Sequence, residues 1–436
     1  MNRMNRRQLF GTLAAGALSA RSLAAGQGVI LSELDKPVDL AGLRKKYHAG
    51  DPVDLNALRG ARWSPDRAFK YMQKFGVVKG VNYSTRVGGV FSNFNERVMQ
   101  ELFGSGVRPR IEFPLAEFNE QIITQELSWA QNVVGLNSLR IFLNVQALDQ
   151  AKFYTHFERL LEIAASRGMT IMPVTGVQGV RDPAALKPAG DPQFEFKPGV
   201  VFGGFRGAGG GGGGRWDDEW PKNKKFMKDA LQAFISRYAK DERIILWDLA
   251  NEPATALRPL VEYVFKWARE VNPSQPLSVC WNAHDLSDVI TFHTYMRPGL
   301  SAPQAAPARV DFLTELEWAR AWKRPMLCTE WLARPFKSTI ENTLPFFSRY
   351  GVGWYSFALV TGGPSQYQYP WNWPIGSPPP KEWFHGLLYP DGTPYSTEEI
   401  LAIRDFKYQP PPPFVKTQSY WTYGDSDIRD VAPPID

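Results

Sequence analysis

Two glutamates, Glu252 and Glu330, each stand at the end of a short apolar run, 78 residues apart. The first ends Ile244-Ile-Leu-Trp-Asp-Leu-Ala-Asn-Glu252-Pro, the second Pro325-Met-Leu-Cys-Thr-Glu330-Trp. Such a run, stopping in a carboxylate, reads as a buried strand that delivers an acid to the rim of a parallel barrel. Two carboxylates at one rim are the minimum set for cutting a glycosidic bond, one as acid/base and one as nucleophile. Pro253 blocks further strand and turns the chain toward the next helix. A carboxylate this close to an apolar barrel needs a partner, or its pKa rises. Arg140, in Leu139-Arg-Ile-Phe-Leu143, is the best-placed cation on a predicted strand, with a purely structural ion pair as its alternative role. His293 and Tyr295 close another strand and alternate onto one face. Tyr295 can hydrogen-bond the carboxylate next door; His293 can meet sugar hydroxyls or sit as a satisfied core histidine. Sugars present apolar C–H faces that stack on aromatic rings. Trp281, Trp331, Phe357 and, in the loop Gln366-Tyr-Gln-Tyr-Pro-Trp371-Asn-Trp373, Trp371 are the candidate stacking residues; Trp247, in mid-strand, reads as core.

The elements that must position these residues follow an alternating pattern. Strands are predicted at 77–83, 139–143, 170–174, 244–250, 277–281, 289–293, 326–330 and 352–359. Helices are predicted at 120–134, 153–167 (closed by Gly168 as a C′ glycine), 226–239, 258–270, 312–322, 339–350 and 397–404. Eight strands with intervening helices match a (β/α)₈ TIM barrel with long βα loops on its C-terminal face. The link between the fifth and sixth strands is short enough that its helix is expected to be a stub. Residues 84–119, 176–222 and 409–436 fall outside the alternation and read as two long loops and a Pro-rich tail. The glycine run at 209–214 has no following Gly-Lys-Ser/Thr and reads as a loop tip.

Residues 1–24 carry a twin-arginine pattern, Asn5-Arg6-Arg7-Gln8-Leu9-Phe10, a weakly apolar stretch and the small-x-small site Ser22-Leu23-Ala24. The expected organisation is a signal peptide at 1–24, an N-terminal extension on the barrel at 25–76, the barrel at 77–408 and the tail at 409–436. The expected destination is the periplasm or the exterior. The formal charge is +6, of which the leader's four arginines, with no acid beside them, supply four. The remaining +2 and the lack of a basic block argue against nucleic acid. Cys280 and Cys328 read as small buried residues. Five histidines without HxxxH or CxxC spacing argue against a metal, and no cofactor is expected.

On Trp247-Asp-Leu-Ala-Asn-Glu252-Pro, Leu139-Arg140-Ile-Phe, Ala283 to His293-Thr-Tyr295, and Cys328-Thr-Glu330-Trp, the chain resembles the clan of retaining (β/α)₈ glycoside hydrolases, nearest to family 5 cellulase-like enzymes. It also looks like a branch of bacterial proteins labelled cellulase or β-xylanase, on Trp383-Phe-His385, Asp391-Gly-Thr-Pro-Tyr395 and Tyr369-Pro-Trp371. The resemblance implies Glu252 as acid/base, Glu330 as nucleophile, Asn251 on the 2-hydroxyl, and Arg140, His293 and Tyr295 in support. It implies a β-linked glycan as substrate. The chain departs from the clan in placing Phe357 where a tryptophan often lies under the −1 sugar, and in lacking a histidine or tryptophan in Val174-Thr-Gly-Val-Gln178. An exo-acting glycosidase, a transglycosylase and a catalytically silent glycan-binding barrel are the alternatives.

Overall fold

The computed structural model describes residues 39–86, 118–143, 151–175, 216–251, 253, 257–280, 283–295, 312–361, 368 and 380–413. Eight parallel strands form one sheet: β1 (Lys79–Asn82), β2 (Ser138–Phe142), β3 (Thr170–Val174), β4 (Trp247–Asp248), β5 (Leu277–Ser278), β6 (Ile290–His293), β7 (Met326–Trp331) and β8 (Val352–Phe357). Their order, β5-β4-β3-β2-β1-β8-β7-β6, curls the sheet into a TIM barrel. Among the described residues three helices precede the barrel: α1 (Leu40–Tyr47), α2 (Leu55–Gly60) and α3 (Pro65–Gln73). The outer layer is α4 (Glu120–Trp129), α5 (Ala151–Ala165), α6 (Trp216–Tyr238), α7 (Arg258–Val271), α8 (Phe312–Ala321), α9 (Ile340–Tyr350) and α10 (Thr397–Asp405).

Helix ends follow local chemistry. Ser64 accepts from the Arg67 amide ahead of Pro65 in α3, and Thr339 and Ser396 accept from Asn342 and Glu399 to start α9 and α10. Gly168 and Gly351 take positive φ just past α5 and α9, where an L side chain is strained. Predicted bounds need correction at four elements. The ladder of β4 covers only two of the seven residues expected, although Ile244 bridges Ile171, and β5 likewise covers two. α6 begins at Trp216, inside the stretch expected to be loop. α4 ends in a π turn, Ala130–Val134.

Among the described residues no regular ladder joins β5 to β6, and side chains bridge that seam. Ser278 Oγ donates to Val289 O (2.7 Å) and pairs with Thr291 Oγ1 (2.8 Å); Asp288 N donates to Leu277 O (2.8 Å). The Asp288 carboxylate accepts from Leu277 N, from Trp63 N and from Arg269. The segment carrying α1–α3 thus lies across the seam, and α3 plugs the N-terminal end of the barrel. Met72, Tyr71 and Phe75 pack there on Val78, Met172, Leu246, Val289, Leu327 and Tyr355. The Tyr355 ring crosses the barrel toward β2, where its hydroxyl meets Ser138 Oγ at 2.8 Å. That crossing requires Gly80, because a Cβ at this position would stand 2.2 Å from Tyr355 Cδ1. Pro412 and Pro413 accept from Arg320, so the last two prolines of the run 410–413 lie against α8.

Candidate active site

Above Tyr355 the barrel interior turns polar, and the C-terminal ends of the strands converge on Arg140. Its guanidinium is fully buried. Nη1 donates to Glu330 Oε1 (2.8 Å) and Asn82 Oδ1 (2.7 Å), Nη2 to Asn251 Oδ1 (2.6 Å), and Nε to Asp248 Oδ2 (2.9 Å). Residues from β1, β2 and β7, with those of β4 and the chain just after it, therefore meet on one cation. Burial opposes the charge of Arg140, and Asp248 and Glu330 more than offset it, so the guanidinium stays firmly protonated.

Glu330 reaches this cluster through a β-bulge. Phe292 faces Cys328 and His293 faces Glu330, and on the other side Cys328 faces Trp354 and Trp331 faces Ser356. β7 thus carries one residue more than both neighbours, at Thr329. Leu327 points into the barrel. Strict alternation from there would turn Trp331 inward and Glu330 outward. The extra residue reverses that phase and re-aims the carboxylate, as bulges beside sites do. Asn82 holds the bulge by donating from Nδ2 to Thr329 O (2.8 Å).

The second oxygen of Glu330 accepts from Tyr295 Oη (2.7 Å) and lies 3.6 Å from His293 Nδ1. Burial pushes the Glu330 carboxyl up. The charges of His293 and Arg140 and the Tyr295 hydroxyl outweigh burial and hold it below the ordinary glutamate range. Asp248 goes the other way: burial raises it, and Arg140 and His293 recover only part of the shift. Its Oδ1 has no hydrogen-bond partner among the described residues.

Phe357 ends β8 opposite Asn82, with its ring 6.4 Å from Phe142 and 5.2 Å from His385. The His385 ring lies 5.7 Å from Tyr295, and its Nδ1–H donates to Leu332 O, where the chain leaves β7 at a left-handed φ of 78°. The peptide bond Phe357–Ala358 is cis.

Arg140, Asn251, His293, Tyr295, Glu330 and Phe357 are therefore neighbours at one end of the barrel. Trp331 is not among them. It points into the helix layer, fully buried, edge-on to Phe347 and Trp354, because the bulge put Glu330 on the inner face in its place. Trp247 is core, donating from Nε1 to Gln275. Glu252, Trp281 and Trp371 lie outside the described residues. The pattern did not single out Asn82, Asp248 or His385 as site residues. For Asn82 and Asp248 the available signal was a polar residue inside an otherwise apolar strand. Among the described residues no group of three or more His, Cys, Asp or Glu side chains is placed to hold a metal ion. No described helix is long and apolar enough to cross a membrane.

No protein-family model matches the chain, and no curated protein matches it. Solved structures do. A glycoside hydrolase family 5 mannosidase from Rhizomucor miehei is 15% identical, with 76% of this chain and 92% of that chain covered and a TM-score of 0.43. GH5_18 from Streptomyces cattleya, in complex with GlcNAc, is 13% identical over 77% of this chain and 82% of that one, TM-score 0.46. An exo-beta-1,4-mannosidase from Opitutaceae bacterium strain TAV5 is 15% identical over 75% and 59%, TM-score 0.45. Likeness at this level assigns neither a family nor an activity to the chain.

Proposed function

We propose that this protein is a retaining glycoside hydrolase acting on a β-linked poly- or oligosaccharide, exported behind the twin-arginine leader at residues 1–24. The observation that carries the reading is Glu330. It is a carboxylate at the C-terminal end of the barrel, held below the ordinary glutamate range, with one oxygen on Arg140 and the other on Tyr295. A carboxylate kept ionised in a nearly dry site is suited to attack. Asn251, the residue before Glu252, sits on the same guanidinium.

In this reading Glu330 attacks the anomeric carbon as the glycosidic C–O bond breaks, and Glu252 gives its proton to the departing oxygen. A glycosyl ester on Glu330 results. Glu252, now ionised, takes a proton from water as that water attacks the anomeric carbon, and the Glu330 carboxylate leaves. Arg140 and Tyr295 stabilise the carboxylate at both ends of the cycle. In this reading Phe357 is the ring that meets a sugar face. Neither step draws on a redox group.

The test is hydrolysis of β-glucan, mannan, xylan and galactan by the mature protein and by Glu330→Ala. Cleavage of one polymer, lost in the variant, with the β-anomer formed first by NMR, establishes the reaction and names the sugar. An α-anomer formed first rules out retention. Silence across the panel together with tight binding to one of the polymers favours a glycan-binding barrel.

A further inference from the structure

Asp248 has no step in that cycle. Its carboxylate is fully buried, and it holds Arg140 from the side opposite Glu330, through Nε (2.9 Å) and within 2.9 Å of Nη2. Each carboxylate spends one oxygen on the guanidinium. The other oxygen of Glu330 is taken by Tyr295; that of Asp248 has no hydrogen-bond partner among the described residues. We propose that Asp248 is a positioning residue that shares Arg140 with Glu330, aiming the guanidinium at Glu330 while taking up part of its charge.

The geometry gives both halves of this role. With Nε and one edge of Nη2 held by Asp248 and Nη2 also held by Asn251, the plane of the fork is set and Nη1 is left to Asn82 and Glu330. A cation serving one carboxylate alone would stabilise that anion most, and an over-stabilised carboxylate is a weaker nucleophile. A second anion on the same guanidinium restores proton affinity, and so nucleophilicity, to the first. The titratable groups around Asp248 are Arg140 from β2, Glu330 from β7 and His293 from β6. Tyr355 from β8 also responds to Asp248, and Cys280, just past β5, acts on Arg140. The idea that Glu330 is the reacting group rests on the function proposed above; the sharing of charge does not.

The experiment titrates His293 and Glu330 by NMR in the full mature protein and in Asp248→Asn. His293 is one of five histidines in the chain, and its ring resonances are assigned with a His293→Asn control. Removing an anion makes every neighbouring group easier to deprotonate. Both midpoints are expected to fall, by roughly one pH unit for the nearer group. In kinetics the acidic limb of kcat/KM moves to lower pH, with kcat reduced and KM unchanged. Should Asp248→Asn fail to fold, Asp248→Ser removes the same charge and leaves room for a water. Unmoved midpoints in a folded variant overturn the proposal, since Asp248 would then be neutral already and a brace only. Moved midpoints in a protein that cleaves nothing support the charge sharing and remove the hydrolase reading alone.

Discussion

Among the described residues, Arg140 and Arg258 are each buried between two carboxylates, and they differ in what surrounds them. Arg140 at the barrel mouth lies between Asp248 and Glu330. Arg258, at the start of α7, lies between Glu262 and Asp285. Around Arg258 two further arginines complete the cluster: Arg44 binds Glu262 and Arg59 binds Asp285, and the His48 ring lies 3.4 Å from Glu262. Burial works against Asp285, but Arg258 and Arg59 win and its carboxyl titrates below the ordinary range. Around Arg140 two carboxylates share one arginine, with His293 beside them, and Asp248 titrates above the ordinary range with one oxygen unpartnered among the described residues. Fully compensated charge makes a joint between α1, α2, α7 and the β5–β6 seam. Charge left incompletely compensated, with one carboxylate backed by a tyrosine, is what the proposed reaction would draw on at the mouth.

Removing each arginine breaks the comparison most directly. Arg140→Met is expected to lower kcat on the cleaved glycan by roughly 10²–10³-fold, the scale of losing a preorganised charge partner. Arg258→Met is expected to cost about 3–5 kcal/mol of stability, as breaking a buried pair does, and to leave kcat per folded molecule unchanged. Thermal unfolding beside steady-state kinetics separates the two, and equal activity losses would erase the distinction. A smaller effect is expected from Tyr295→Phe. A hydrogen bond to a charged group contributes about 1.5–3 kcal/mol, which corresponds to roughly 10–150-fold in kcat/KM. Its acidic limb should move to higher pH, opposite to Asp248→Asn, because Glu330 loses a donor that favours its ionised form. The subtlest contrast is in stability against pH. Because the folded-state pKa of Asp285 is depressed, its contribution is complete above the unfolded value of about 3.9 and fades as pH falls through the folded value. Asp285→Asn should flatten that acidic loss in a urea series taken from pH 6 to pH 3; an unchanged slope there would show that the pair contributes nothing.

Much of the barrel was legible because its cues are local. Thr170–Val174 is a strand at the predicted bounds, and Gly168 ends α5 where a positive φ is needed. Arg140 and Tyr295 could be picked out because a charged or polar group beside an apolar run demands a partner. Trp331 was misplaced for a definite reason. Neighbours on a strand face opposite ways, so Glu330 and Trp331 cannot both line the mouth, and one inserted residue at Thr329, of which period-two alternation carries no trace, decides that Glu330 does. Asp248 was hidden by the apolar company it keeps in Ile244–Ala250. The short ladders of β4 and β5 follow from a closure that relies on Ser278, Thr291 and Asp288 side chains, which no periodicity reveals.

The seam also sets a clock on biosynthesis. Arg59 and Asp285, which meet across it, are 226 residues apart in the chain, and Trp63 and Asp288 are 225 apart. At about 5–20 residues per second, a ribosome leaves α2 and α3 waiting on the order of ten to forty-five seconds for their partners. Through that interval Arg59 and the apolar face of α3 await the later segments that cover them, and a chaperone has its longest opportunity there.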